Sequence, residues 1–297
     1  MRSMLASRRA SRLLAAVVVA AVVAAAGAGT TSANPVNGSD KNGTYLALGD
    51  SVAFGYVPPN AVPAPNYLDQ HSFVGYPELL AQQLDERVSN ASCPGETSTS
   101  MLVAGAVSNG CENAPGSTVG YRTLYPLHVQ YQGTQMAYAL QYLAAHKHTH
   151  LITLDIGAND AFVCQETTAD GCTSSSELLG VAGQITGNLA TIFHQLRDVA
   201  GYQGPIVVLT YYSLSYSDPS QLALSEFLDS VLANATLADG GIVADGFDAF
   251  LGPSLAFGGS PCAAGLLIKL PDGSCNIHPS PAGHELLAAA IAKAIGA

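Results

Sequence analysis

Short apolar runs alternate along the chain with longer amphipathic segments. Two of the runs, LITLDIG and PIVVLTYY, are almost continuously apolar, which is typical of strands in a parallel sheet covered on both faces. The predicted strands are 44–49, 87–91, 150–156, 205–211 and 241–245, and the predicted helices are 73–85, 133–146, 175–200, 219–235 and 282–296. This alternation predicts an α/β fold, a three-layer α/β/α sandwich with a five-stranded parallel sheet.

The N-terminal segment has the pattern of a secretory signal peptide. Four arginines precede an apolar run over residues 13–26, and small residues continue to Ala33, a plausible cleavage site. The run is too short for a typical membrane span, although a retained anchor is the alternative. We therefore expect a signal peptide over 1–33, a polar leader over 34–43 and a single domain over 44–297, exported by a route that the sequence leaves open.

The part of the chain after residue 33 is strongly acidic. It carries all 22 acidic residues and only seven of the 11 basic ones, because four arginines lie in the predicted signal peptide, so its formal charge is −15. Nucleic-acid binding is not expected, since phosphate contacts require lysine and arginine. The charge also disfavours docking on anionic lipid but leaves apolar contact open. We expect a monomer that makes at most transient contact with a lipid surface.

The cysteine content is even, which in an exported chain indicates disulfide bonds. Fifteen pairings are possible for six cysteines. Pairing of neighbours is favoured because each bond would close a loop at the carboxyl end of a strand. The expected disulfides are Cys93–Cys111, Cys164–Cys172 and Cys262–Cys275. A zinc site is the alternative, but the chain lacks the C-x2-C spacing typical of such sites.

Reactive residue types follow the predicted strands. Ser51 comes directly after the first strand, Gly95 after the second and Asn159 after the third, while His278 lies near the C-terminus. In open α/β sheets the ligand site lies beyond the carboxyl ends of the strands. A serine can attack a carbonyl while a histidine takes its proton, and the N–H groups of Ser51, Gly95 and Asn159 can stabilise the resulting oxyanion. Alone, Ser51 would more simply be a helix cap.

Three motifs in this order resemble the SGNH hydrolases, also called the GDSL lipase/esterase family. GDS stands at 49–51, GAND at 157–160 and HPSPAGH at 278–284, and the resemblance extends from Thr44 to the last helix. It implies a flavodoxin-like sandwich, a nucleophile at Ser51, a base at His278 and no metal or other cofactor. The three sequential disulfides resemble those of exported actinobacterial lipases, esterases and phospholipases.

The residue that orients the histidine departs from the family pattern. The family usually has an acidic residue three positions before the histidine, and this chain has Cys275 there. One candidate is the backbone carbonyl of Cys275, accepting from Nδ1–H of His278. The other is the side chain of Asp272. The carbonyl is favoured, since a disulfide to Cys262 would hold it rigidly.

Further residues near the strand ends have two interpretations each. Asp160 is expected to brace the loop that carries Asn159, with a direct catalytic role as the alternative. Tyr211 and Tyr212 either line an acyl pocket or are ordinary buried tyrosines.

We therefore predict an exported serine hydrolase that cleaves carboxylic esters through an acyl-enzyme on Ser51. Lipid esters, cleaved by a lipase or a phospholipase A, and short-chain or carbohydrate acetyl esters are both open. Transfer of the acyl group to an alcohol would use the same residues. A non-catalytic binding module is the remaining alternative, although none of the four expected catalytic residues is missing.

Overall fold

The centre of the molecule is a parallel five-stranded sheet. The computed structural model describes residues 43–297, so the predicted signal peptide (1–33) and all but the last residue of the leader (34–43) lie outside the described residues. The strand order is β2-β1-β3-β4-β5, and every neighbouring pair is parallel. These strands are β1 (Thr44–Gly49), β2 (Arg87–Asn90), β3 (Thr149–Asp155), β4 (Ile206–Leu209) and β5 (Ile242–Ala244).

Helices cover both faces of the sheet and confirm the predicted α/β/α sandwich. Helix α2 packs against α9, which also contacts α8, whereas α6 packs against α5 and α7. One π-helical turn, 195–199, continues α6. The helices are α1 (Ser51–Phe54), α2 (Tyr76–Leu84), α3 (Tyr121–Leu124), α4 (Gln135–Ala145), α5 (Ala158–Thr167), α6 (Ser175–His194), α7 (Pro219–Ala238), α8 (Gly246–Leu255) and α9 (Pro281–Ile295).

Local sequence signals determine where the long helices begin. Helix α6 starts after Ser174, whose hydroxyl accepts from the backbone N–H of Glu177. Helices α7 and α9 each start at a proline, preceded by Asp218 and Ser280 respectively, and both preceding side chains accept from the first turn. Such caps satisfy N–H groups that have no partner within a helix, and proline fits the first helical position.

The central strands are buried on both faces, as their continuous apolar sequence requires. In β1 and β3, Leu46, Leu48, Ile152 and Leu154 are fully buried. None of the helices in the described range combines the length and apolar character needed to cross a bilayer.

Four helices and one hairpin were not predicted, and two of these helices, α1 and α3, are single turns of four residues. Helices α5 and α8 lack a strong apolar stripe, and α8 contains Pro253, a residue that disfavours helix interiors. A small antiparallel hairpin, β6 (Leu267–Lys269) and β7 (Cys275–Pro279), also escaped prediction. Its strands are short and lack regular apolar–polar alternation, so tertiary pairing rather than local pattern defines them.

Three disulfides cross-link the segments that follow the strands of the sheet. They are Cys93–Cys111, Cys164–Cys172 and Cys262–Cys275, the pairing of neighbours expected from the sequence. The third disulfide attaches the start of β7 to the loop before β6.

Candidate active site

Ser51 is the first residue of α1, directly beyond the carboxyl end of β1. The preceding Asp50 caps this short helix, since its Oδ1 accepts from the N–H of Val52 at 2.9 Å. Gly49 has a φ of 145°, and a Cβ at this position would clash with Asp155. Only glycine therefore permits the sharp turn that brings Ser51 beyond the sheet edge.

The hairpin β6–β7 brings His278 to Ser51 although 227 residues separate them in the chain. Nε2 of His278 lies 2.9 Å from Oγ of Ser51. Burial lowers the pKa of His278 to about 4, because a charged imidazolium is poorly solvated there. The imidazole is therefore neutral at neutral pH, and its Nε2 can accept the proton of Ser51.

The other ring nitrogen of His278 faces Asn276, a residue that the sequence analysis did not identify. The distance from Nδ1 of His278 to Oδ1 of Asn276 is 2.5 Å. The structure therefore corrects both expectations for this position, since neither the carbonyl of Cys275 nor Asp272 occupies it. Asp272 is exposed and accepts from the backbone N–H and the hydroxyl of Ser274. The sequence feature that could have identified Asn276 is the Asn-x-His spacing, since asparagine commonly hydrogen-bonds the backbone two residues further along the chain.

Gly95 and Asn159 border the same pocket as Ser51. Gly95 has a φ of 85°, and a Cβ there would clash with the backbone at Asn109. The amide of Asn159 is fixed at both ends: Nδ2 donates to Oδ2 of Asp50 at 3.1 Å, and Oδ1 accepts from Asn109 at 2.8 Å. The fold thus brings together all four residues that the sequence analysis placed in one site.

Asp160 connects the segments that carry Gly95 and Asn159. Its carboxylate accepts from the N–H of Ser98 at 2.8 Å and from the hydroxyl of Ser98 at 2.6 Å. Gln184 of α6 donates to the same carboxylate at 3.0 Å. This geometry fits the expected bracing role and holds the two candidate oxyanion donors at a fixed separation.

Two buried carboxyl groups, Asp50 and Asp155, lie beneath the nucleophile. The hydroxyl of Tyr211 donates to Asp50 at 2.6 Å, and that of Tyr76 donates to Asp155 at 2.9 Å. Burial raises the pKa of both carboxyl groups, and the charge of Asp50 raises the pKa of Asp155 further. Both shifts favour the protonated carboxyl group, and the effect is larger at Asp155.

A pocket of about 490 Å³ extends from Ser51 and His278 into the space between α5, α6 and α7. Tyr211 and Tyr212 both line it, so the pocket interpretation of these tyrosines applies alongside their burial. Farther along, the wall is mainly aliphatic and aromatic. Its members include Phe162, Val181, Ile185, Leu224, Leu228 and Val231.

Among residues 43–297, one cluster groups three side chains of metal-ligating types: Cys93, Glu96 and Cys111. Both sulfur atoms belong to one disulfide, so they are not thiolates and this cluster cannot bind a metal as a zinc site would.

The family comparison decides the identity of this arrangement. A model of the GDSL-like lipase/acylhydrolase family matches residues 47–286, about four fifths of the chain. The chain belongs to the GDSL-like lipase/acylhydrolase family. This GDSL-like protein is therefore a hydrolase. A search of curated protein sequences gives no significant match.

Solved structures support the same fold for this GDSL-like hydrolase. Phospholipase A1 from Streptomyces albidoflavus is 20% identical, with a TM-score of 0.53, over 85% of this chain and 99% of that one. An acetylxylan esterase from Geobacillus stearothermophilus is 18% identical, with a TM-score of 0.50, over 86% and 94%. A putative GDSL-like lipase from Parabacteroides merdae is 14% identical, with a TM-score of 0.55, over 89% and 99%. At these identities the likeness establishes the fold, not the substrate.

Proposed function

We propose that this protein hydrolyses carboxylic esters through a covalent acyl-enzyme on Ser51. The observation that supports this most directly is the 2.9 Å contact between Oγ of Ser51 and Nε2 of a neutral His278. Nucleophile and base lie within hydrogen-bond reach, which is the geometry that covalent catalysis by serine requires. The same pocket contains Gly95 and Asn159, whose N–H groups can stabilise an oxyanion.

Acylation begins when Oγ of Ser51 attacks the ester carbonyl carbon. The hydroxyl proton passes to Nε2 of His278, and the carbonyl π electrons move to the oxygen. The N–H groups of Ser51, Gly95 and Asn159 stabilise this oxyanion. The carbonyl then re-forms, the bond to the leaving alkoxide breaks, and the imidazolium of His278 gives its proton to the departing alcohol.

Deacylation repeats the sequence with water as the nucleophile. Neutral His278 removes a proton from the water as its oxygen attacks the acyl carbon. A second oxyanion forms and collapses, Oγ of Ser51 leaves, and His278 returns the proton to it. The products are a carboxylic acid and the free enzyme.

The pocket favours esters with an extended apolar acyl chain. An acetyl group would occupy only the region beside Ser51 and leave the apolar wall between α5, α6 and α7 without a ligand. Substrate pockets use apolar lining to bind apolar groups, with a few polar residues to orient them. A lipase or phospholipase A activity therefore fits this pocket better than a deacetylase activity.

Export from the cell is part of the proposal. Its support is the signal-peptide pattern over 1–33 together with three disulfides, which form and persist in oxidising compartments.

The direct test replaces the nucleophile. Ser51→Ala should abolish turnover of p-nitrophenyl esters, because no other group in the mechanism can form the acyl-enzyme. Ser225→Ala is the matched control, since Ser225 also lines the pocket and plays no part in the mechanism. It should retain wild-type activity. Absence of wild-type activity on esters from acetyl to palmitoyl, and on phospholipid, would contradict the proposal, as would full activity in Ser51→Ala.

The substrate class is tested by narrowing the pocket. Ala182 of α6 lines it, so Ala182→Phe should reduce kcat/KM for palmitoyl and lauroyl esters by at least about tenfold while sparing butyryl esters. Ala190→Phe, on an exposed position of the same helix, is the control. An unchanged chain-length profile in Ala182→Phe would show that the acyl chain binds elsewhere.

A further inference from the structure

Asn276 accepts two hydrogen bonds from a single residue, His278. Its Oδ1 lies 3.1 Å from the backbone nitrogen of His278 and 2.5 Å from the ring nitrogen Nδ1. One side-chain oxygen therefore contacts both the backbone and the imidazole of the candidate base. This local turn places the ring relative to its own main chain.

These contacts determine which atom of the amide faces the histidine. A backbone N–H can only donate, so the group 3.1 Å from it must be the oxygen of Asn276 and not its NH₂ group. The same oxygen then accepts from Nδ1, so Nδ1 carries the imidazole proton. Nε2 is left with a lone pair directed at Ser51, which is the tautomer that a general base requires.

We propose that Asn276 is the positioning residue of this site, fixing the tautomer and orientation of His278 in the place where related hydrolases use a carboxylate. This inference rests on the proposed function, since it concerns the same proton transfer. An amide oxygen orients the ring as a carboxylate does but carries no charge to stabilise the imidazolium that forms during catalysis. The low pKa of His278 is consistent with a base that has burial and no anionic partner.

The backbone around Asn276 is held from several directions. Cys275 is bonded to Cys262 and pairs with Lys269 of β6. On the other side, the hydroxyl of Tyr212 donates to the carbonyl of Ile277 at 2.6 Å. Asn276 therefore lies on a segment fixed at both ends, which suits a residue that must hold the base in one orientation.

Titratable side chains approach His278 from several elements. The ring of Tyr56 lies 4.9 Å from the imidazole, and Tyr212 reaches the adjacent Ile277. His284 of α9 is buried with its pKa lowered to about 3, so it is neutral above pH 5. Asp50 lies in the pocket beside Ser51 and remains in every variant described below.

The experiment compares three variants of the full-length protein. Asn276→Leu keeps the approximate size and removes the acceptor, so kcat should fall about 10²- to 10³-fold with little change in KM. Asn276→Asp keeps the acceptor and adds a charge, so it should recover activity to within about tenfold of wild type. It should also move the acidic limb of the kcat/KM profile upward by about one pH unit or more, because a carboxylate raises the pKa of an adjacent histidine. Asp272→Asn, which alters the exposed carboxylate, should behave as wild type.

The outcomes separate a positioning role from a structural one. Thermal unfolding of each variant reports local damage, whereas the shift of the pH profile in Asn276→Asp reports contact with the base. An unshifted profile in Asn276→Asp, or full activity in Asn276→Leu, overturns the inference even if Ser51→Ala is inactive. A large loss in Asp272→Asn would also overturn it by assigning the role to that carboxylate. Retained activity in Ser51→Ala would overturn the proposed function and this inference with it.

Discussion

Two separate features of the structure require glycine at position 95, which carries a candidate oxyanion donor. Gly95 combines a φ of 85° with a position where any Cβ would clash with the backbone at Asn109. The first feature alone costs an L-residue about 1–2 kcal/mol. Relieving the clash would also displace the loop, and with it the backbone N–H of Gly95, which is a candidate oxyanion donor.

Gly95→Ala should therefore lower both stability and turnover. Gly105→Ala is a matched control, because Gly105 has a φ of 78° and a Cβ added there would meet no atom within 4 Å. Both variants should lose about 1–2 kcal/mol of unfolding free energy from strain. Only Gly95→Ala should also lose kcat by about tenfold or more. Equal kcat in the two variants would show that the N–H of Gly95 does not stabilise the oxyanion.

The partial burial of His278 makes a prediction about pH. Burial lowers the pKa of His278 from its ordinary 6.5 to about 4, so the unprotonated form persists well into the acidic range. Activity requires this form, and the acidic limb of kcat/KM should therefore have its midpoint near pH 4 to 5. Stopped or continuous ester assays between pH 3.5 and 8 measure it. A midpoint near 6.5 would contradict the burial of the imidazole in the free enzyme.

The disulfides stabilise separate elements, and only one of them holds the segment that carries the base. Cys262–Cys275 spans 13 residues and Cys164–Cys172 spans 8, so each should stabilise the fold by about 2–3 kcal/mol in the chain-entropy model. Cys275, however, begins β7, three residues before His278.

Removing each disulfide by a double alanine substitution should therefore affect activity unequally. Both variants should unfold at lower denaturant concentration than wild type. The Cys262→Ala/Cys275→Ala variant should also lose activity on p-nitrophenyl esters at temperatures where it is still folded, because β7 loses one of its attachments. The Cys164→Ala/Cys172→Ala variant serves as the control for a general loss of stability. Equal specific activities would mean that the hairpin alone holds His278.

Elements with a clear apolar pattern in their own sequence were predicted, whereas elements that depend on packing against neighbours were not. Strands β1, β3 and β4 were the most recognisable, because their nearly continuous apolar runs reflect burial on both faces. Helix α5 and the hairpin β6–β7 were not predicted, since their residues carry little periodic apolar pattern and gain their stability from neighbours. These unpredicted elements position Asn159 and His278, so local pattern was least informative where the site is assembled.

Several buried carboxyl groups make the stability of the whole molecule pH-dependent. Burial raises the pKa of Glu96 to about 7 and that of Asp229 to about 8. Between about pH 5 and pH 7 both groups are mainly protonated in the folded protein, whereas they are ionised in the unfolded chain. Their contribution to stability is therefore complete below about pH 4 and is lost as the pH rises through 7 and 8. The buried histidines act oppositely, but only below their ordinary pKa of 6.5.

Between pH 6.5 and 8.5 the unfolding free energy should therefore fall, by roughly 2–3 kcal/mol. Asp229→Asn should remove much of this fall. The substituted side chain can still accept from the N–H of Tyr211, as Asp229 does at 3.0 Å, and it has no proton to lose. Denaturant unfolding at several pH values measures how steeply the unfolding free energy changes with pH in the wild type and in Asp229→Asn. A stability that is constant or rises over this range would contradict the assignment of buried, protonated carboxyl groups.

The sequence by itself determined the α/β class and the neighbouring disulfide pairs, and it predicted that Ser51, Gly95, Asn159 and His278 share one site. These follow from signals carried by individual segments: apolar runs, cysteine order and short motifs. The tertiary structure alone decided that Asn276 faces the base and that an apolar pocket lies between α5, α6 and α7. The Asn276–His278 contact is local, but its placement against Ser51, 227 residues away, and the pocket wall both depend on how distant segments pack.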